Sequence, residues 1–171
     1  MSCVVFKKPN WHNFSSESHT NVLINIDPII TPDLLFALAD IGHDDAVAVV
    51  DANFTSRKLA NGRPVIRMPG LSLLRVSQAI LSVLPLDTDL KYPVSHMKVC
   101  HTPEGFRNEA QQEVIDHLLV KGLNDSQVEA IERFAFYDRL ADAQVIVQTG
   151  DLRPYANFMF YKGLVTNYVP T

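Results

Sequence analysis

The chain has 171 residues, 47% of them hydrophobic and 20% charged, with a formal net charge of −4. That length suits one domain, with a core large enough to form without disulfides or structural metal. The mildly acidic balance and the lack of any Lys/Arg cluster leave out the electrostatic footprint of a nucleic-acid partner.

The two cysteines, Cys3 and Cys100, form no CxxC pair, so neither a disulfide framework nor a zinc site is expected. The N-terminus, MSCVVFKKPNWHNF, lacks the apolar stretch of a signal peptide, and no run of about 18 apolar residues occurs that could span a membrane. A cytoplasmic chain is the expectation. Residues 1–20 show little periodicity and read as an extension outside the core, packing on a neighbouring subunit through Trp11 and Phe14. Residues 21–171 read as the domain itself.

The first helix signal is Thr31-Pro32-Asp33: a capping hydroxyl, a proline suited to the first helical position and an acid at the positive end of the dipole. Leu34, Leu35, Leu38 and Ile41 continue it at helical spacing, with Gly42 as a left-handed stop. Ala46 to Val50 is an unbroken apolar run of strand length, the mark of a strand covered on both faces. A short strand at 65–67 and a turn at Pro69-Gly70 precede a helix over 72–84, capped by Ser72 and stopped by Pro85. Met97 to Cys100 reads as a strand and 107–121 as a surface helix closed by Gly122. A strand at 127–131, a helix from Phe134 to Ala143 and strands at 144–148 and 157–161 complete the pattern. Such alternation predicts a layered α/β domain.

In open α/β sheets, ligands bind beyond the carboxyl ends of the strands, which draws attention to Asp51, Asn53, Tyr155 and Asn157. His43 stands before the first buried strand, in Gly42-His43-Asp44-Asp45. It is either a helix-end ligand for free carbonyls or a proton carrier near neutral pH, oriented by Asp44 or Asp45. Asp51 suits an Asx turn or a sugar hydroxyl. Arg133 could pair with Glu132 or Asp138, or offer its fork of donors to a ring oxygen or a pair of hydroxyls. His96 and His101 are five apart, so no metal pair is expected, and His117 reads as solvated. No GxGxxG, Walker-type loop, GxSxG or HExxH is present.

The run Leu34-Leu35-x-Ala37-Leu38-Ala39-Asp40-Ile41-Gly42-His43-x-Asp45, followed by Asp51-Ala52-Asn53-Phe54, resembles the N-terminal signature of the ribose pyranase/fucose mutarotase (RbsD/FucU) family. Arg133-Phe134-Ala135-Phe136-Tyr137-Asp138-Arg139 is similar to the fucose branch. Thr149-Gly150-x-x-x-Pro154-Tyr155-Ala156-Asn157, with Lys162-Gly163-Leu164-Val165 after it, is similar to the C-terminal signature. The order and spacing agree over about residues 28–165.

The resemblance implies a three-layer α/β/α sandwich with a mixed, mostly parallel sheet. It also implies a cofactor-free isomerase that interconverts anomers or ring forms of a monosaccharide. His43 would then be the acid/base, Asp51, Arg133, Tyr155 and Asn157 would bind substrate, and no metal would take part. Arg133 stands where the ribose branch usually has histidine, which points to L-fucose or a related sugar. Family members are ring-like homo-oligomers, often decamers, whose sites are completed by a neighbouring subunit. Two features depart from the pattern: Asp44 replaces the usual glycine, and residues 1–20 and the tail Tyr168 to Thr171 exceed the usual boundaries. Asp44 beside His43 sustains an alternative, a sugar-binding or regulatory protein of the same fold without turnover. A third reading is an assembly module that binds no sugar.

Overall fold

Residues 23–165 are described by a computed structural model; the 1–20 extension, Cys3 and the tail from Tyr168 lie outside them. The strands among the described residues are β1 (Ala46–Val50), β2 (Val65–Met68), β3 (Val94–Met97), β4 (Val128–Ile131), β5 (Ala143–Thr149) and β6 (Phe158–Tyr161). The helices are α1 (Pro32–Asp40), α2 (Ser56–Leu59), α3 (Leu73–Leu81), α4 (Glu109–Val120) and α5 (Arg133–Arg139). The strands form one mixed sheet in the order β2-β5-β1-β6-β3-β4. β1 to β5 all run the same way, and β6 runs against its neighbours β1 and β3. One consequence organises the molecule: the start of β6 shares an edge with the ends of the parallel strands, and its end shares the opposite edge with their starts.

Every residue of β1 is fully buried, because the sheet is covered on both faces. Val47 and Val49 point into a core with Leu34, Val76, Ile80, Val114, Ile115, Phe158 and Phe160, which α1, α3 and α4 build. Ala46, Ala48 and Val50 point the other way, toward Phe54, Phe136, Leu140 and Met159 beneath α2 and α5. The period-two alternation of a strand thus feeds two cores from one apolar run. The result is a single α/β domain with helices on both sides of the sheet.

Local chemistry sets the helix starts. Thr31 Oγ1 accepts from Leu34 N (3.3 Å), Ser72 Oγ from Arg75 N (3.2 Å) and Asn108 Oδ1 from Gln111 N (3.0 Å). Gly122, with φ of +96°, closes α4 as predicted.

Several expectations need correction. Gly42 is not a left-handed stop: α1 ends at Asp40, Ile41 is already extended, and the Gly42 N–H instead donates to Asp45 Oδ2 (2.7 Å). The strand expected at Met97 to Cys100 lies at Val94–Met97, its pattern hidden by the buried polar pair Ser95 and His96. α5 is shorter than the 134–143 helix: it ends at Arg139, a 3₁₀ turn takes Leu140–Asp142, and Ala143 already belongs to β5. The four-residue α2 has no counterpart in the sequence reading, being too short to show a period. His117 is partly buried, and burial lowers its pKa.

Candidate functional site

At the edge where the parallel strands end, two buried polar residues lock together. Asp51 follows β1 and Asn157 precedes β6, and they are 4% and 2% exposed. Asn157 Nδ2 donates to Asp51 Oδ2 (3.0 Å), and Asn157 Oδ1 accepts from Asp51 N (3.0 Å). Asp51 Oδ1 accepts from Asn53 N (2.9 Å), so the Asx turn expected here is real and coexists with the Asn157 pair. Burial raises the Asp51 carboxyl above the usual range, and its hydrogen bonds to Asn157 and Asn53 offset part of that rise. The carboxylate is therefore buried, oriented and incompletely compensated.

Arg133 opens α5 just beyond the end of β4. It makes neither of the ion pairs considered for it, because Glu132 caps the helix instead, accepting at Oε2 from Phe134 N (2.7 Å). The Arg133 guanidinium lies 5.0 Å from the Phe134 ring centroid and 5.8 Å from that of Tyr137. Its Nε is buried without a hydrogen-bond partner among the described residues. A guanidinium held by ring faces with a free donor is suited to an incoming oxygen. Tyr155 lies on the same edge in the left-handed region, with φ of +61°. Its phenol is raised above the ordinary range chiefly by the neighbouring Cys100 thiol, while the Arg133 charge acts in the opposite sense.

The loops carrying these groups are tied to the scaffold by Gln148, which sequence reasoning missed, and by Gly150. Gln148, near the end of β5, donates from Nε2 to Ala52 O (2.9 Å) and Phe54 O (3.2 Å), and its Oε1 accepts from Arg67 Nη1 (2.5 Å). Gly150 packs against the Gly70 backbone so closely that no Cβ would fit. A glutamine in an apolar strand gives no sign of such a role, because its partners come from distant segments.

His43 is elsewhere. It precedes β1, whereas Asp51 follows it, and at about 3.3 Å per residue the five-residue strand alone holds the two ends about 16 Å apart. There His43 Nε2 lies 2.7 Å from Oδ2 of Asp87, with the imidazole about half exposed and the carboxylate buried. Asp87 is the second missed residue. It follows Pro85, beyond α3, which ends at Leu81 rather than running to residue 84 as expected. It accepts at Oδ1 from Asp89 N (3.1 Å) and donates from its own N–H to Tyr161 O (3.0 Å). Gly163 permits this approach, since a Cβ there would fall 2.5 Å from Leu86 O and 2.8 Å from Asp87 Cα.

The other expectations for His43 also change. Its carboxylate partner is Asp87, not Asp44 or Asp45, and Asp45 instead accepts from Gly42 N and Gln144 Nε2. The helix-end carbonyl of Ile41 is satisfied by Lys162 Nζ (2.9 Å) rather than by His43. Asp44 is exposed with φ of +70°, which accounts for glycine as the alternative at this position.

One chain therefore brings Asp51, Arg133, Tyr155 and Asn157 to one edge of the sheet and leaves His43 with Asp87 on the other. No group of three His, Cys, Asp or Glu side chains is placed to hold a metal ion among the described residues. No described helix is long and apolar enough to cross a membrane.

Comparison with known proteins matches residues 24–165 to the RbsD / FucU transport protein family. The chain is 34% identical over 145 residues to a fucose mutarotase of Mus musculus, covering 82% of this chain and 94% of that one. It is 31% identical over 143 residues to an L-fucose mutarotase of Glaesserella parasuis, covering 84% and 96%. Among solved structures, the fucose mutarotase from Streptococcus pneumoniae in complex with L-fucose superposes with a TM-score of 0.76 at 30% identity, over 84% of this chain and 100% of that one.

Proposed function

This chain belongs to the RbsD/FucU family, and on that premise we propose that it is a cofactor-free monosaccharide mutarotase acting on L-fucose or a closely related sugar. The observation that carries this reading is the polar edge formed by Asp51, Asn157 and Arg133. It joins a buried carboxylate aimed by an asparagine to a guanidinium with a free donor, a set suited to neighbouring sugar hydroxyls.

Mutarotation requires a base to remove the anomeric hydroxyl proton and an acid to protonate the ring oxygen. The ring opens to the aldehyde and recloses on the other face. The bond between the anomeric carbon and the ring oxygen breaks on opening and re-forms on closure. Protons are the only groups exchanged with the protein, so positioned acid/base groups suffice, worth about a hundred- to ten-thousand-fold. His43 carries the proton. With Nε2 directed at Asp87, its Nδ1 is the atom left to exchange with substrate. Asp51 and Arg133 hold hydroxyls, and Tyr155 and Asn157 shape the rim. Because the two groups of residues occupy opposite edges of one chain, each working site pairs the Asp51 edge of one subunit with the His43 edge of a neighbour in a homo-oligomer.

NMR exchange between the anomeric protons of L-fucose, then of D-ribose, tests the reading. Protein-dependent exchange with L-fucose is expected. Sugar binding without exchange would favour the sugar-binding reading instead, and neither binding nor exchange would favour an assembly module.

A further inference from the structure

The first turn of α4 is bonded more elaborately than a helix start requires. Asn108 and Gln111 form a reciprocal capping box: Asn108 Oδ1 accepts from Gln111 N (3.0 Å), and Gln111 Oε1 accepts from Asn108 N (3.1 Å). Those two bonds complete the cap. An Asp-x-x-Glu box would make them equally well and would carry no side-chain hydrogen to give away.

Here three of the four amide hydrogens go to backbone carbonyls at the edge of the candidate site. Gln111, fully buried, donates from Nε2 to Met97 O at the end of β3 (2.7 Å) and to Tyr155 O (2.8 Å). Asn108 Nδ2 donates to Pro154 O (2.8 Å). The carbonyls so held flank a tyrosine in left-handed backbone, a conformation that a relaxed loop avoids. Two residues on, Asn157 grips Asp51.

We propose that Asn108 and Gln111 are positioning residues for sugar binding, whose side-chain amides clamp the Pro154–Tyr155 turn to the end of β3 and so set Tyr155 and Asn157. The inference rests on the mutarotase reading for its ligand, though not for its geometry. Within the chain the clamp touches only groups that hold the sugar, while in the proposed shared site the proton carrier His43 is supplied by the neighbouring subunit. It therefore governs affinity rather than turnover.

The test uses Asn108→Asp, which keeps the cap oxygen and loses the donor to Pro154, and Gln111→Met, which keeps the bulk and loses both donors. Both are made in the full chain carrying Cys3→Ser. L-fucose exchange by NMR across sugar concentrations gives KM and kcat. The rate at which iodoacetamide alkylates Cys100, the thiol whose proximity raises the Tyr155 phenol, reports the turn without any sugar. The expected result is KM raised about tenfold by either change, with kcat within about twofold, and faster alkylation of Cys100.

Folded variants with unchanged KM and unchanged alkylation would overturn the proposal, as would a fall in kcat at constant KM. If Gln111→Met does not fold, Asn108→Asp decides alone, because its helix cap is intact. If the parent protein exchanges no sugar, the mutarotase reading fails by itself. Alkylation then decides the clamp: faster in the variants supports it, unchanged refutes it.

Discussion

His43 and Asp87 meet at 2.7 Å across the end of β1 where the parallel strands begin, an exposed imidazole against a buried carboxylate. The pair depends on two backbone arrangements. The Asp44 N–H donates to Lys162 O (3.0 Å), holding the His43 loop to the end of β6, and glycine at 163 lets the Leu86–Asp87 segment lie against it. Under the proposed mechanism, the contact orients the imidazole so that Nδ1 faces the sugar.

Asp87→Asn keeps the size and the turn bond to Asp89 but removes the charge that fixes the ring. Anomer exchange at saturating L-fucose is expected to fall about a hundredfold, while the thermal midpoint moves little. NMR exchange beside calorimetry checks both. Exchange at the parent rate would remove Asp87 from the mechanism.

Sites shared between subunits make a prediction that a self-contained site does not. His43→Ala and Asp51→Ala are each expected to abolish exchange as homo-oligomers. Co-expressed, they should regain a substantial part of it, because some interfaces then pair an intact Asp51 edge with an intact His43. Affinity-tagged mixed oligomers with no exchange would refute the shared site.

Asn157→Asp replaces the donor facing Asp51 with a second carboxyl. Two carboxyls in contact raise the pKa of one further. A folded-state pKa above the unfolded value means stability that is present at low pH and lost as pH rises through the folded value. The variant should therefore be destabilised at neutral pH by about 2 kcal/mol and recover on acidification. Urea midpoints across pH 4–8 measure this, and a deficit independent of pH would show that the charge is not the cause.

His96 is buried in β3, stacked on Phe158 at 5.5 Å, its Nδ1 without a hydrogen-bond partner among the described residues, and burial lowers its pKa to about 4. Between about pH 6.5 and 4 the unfolded chain takes up a proton that the folded chain refuses, so stability falls as pH falls through that window. The loss amounts to about 3 kcal/mol. His96→Leu should flatten that slope in urea titrations. An unaltered slope would place the acid sensitivity elsewhere.

The residue order alone determined a good deal. Thr31-Pro32, Ser72 and Gly122 marked helix ends because capping is local chemistry, and Ala46 to Val50 announced a doubly covered strand because burial on both faces demands an unbroken apolar run. The motifs around His43, Asp51, Arg133 and Tyr155 also pointed to the family. Only the tertiary structure decided who touches whom. Asp87 reaches His43, Gln111 reaches Tyr155 and Gln148 reaches the loop after Asp51 through hydrogen bonds between distant segments, and no spacing along the chain encodes such contacts. The separation of His43 from Asp51 likewise follows from sheet geometry: an extended strand carries its two ends far apart, so residues close in sequence stand on opposite edges of the molecule.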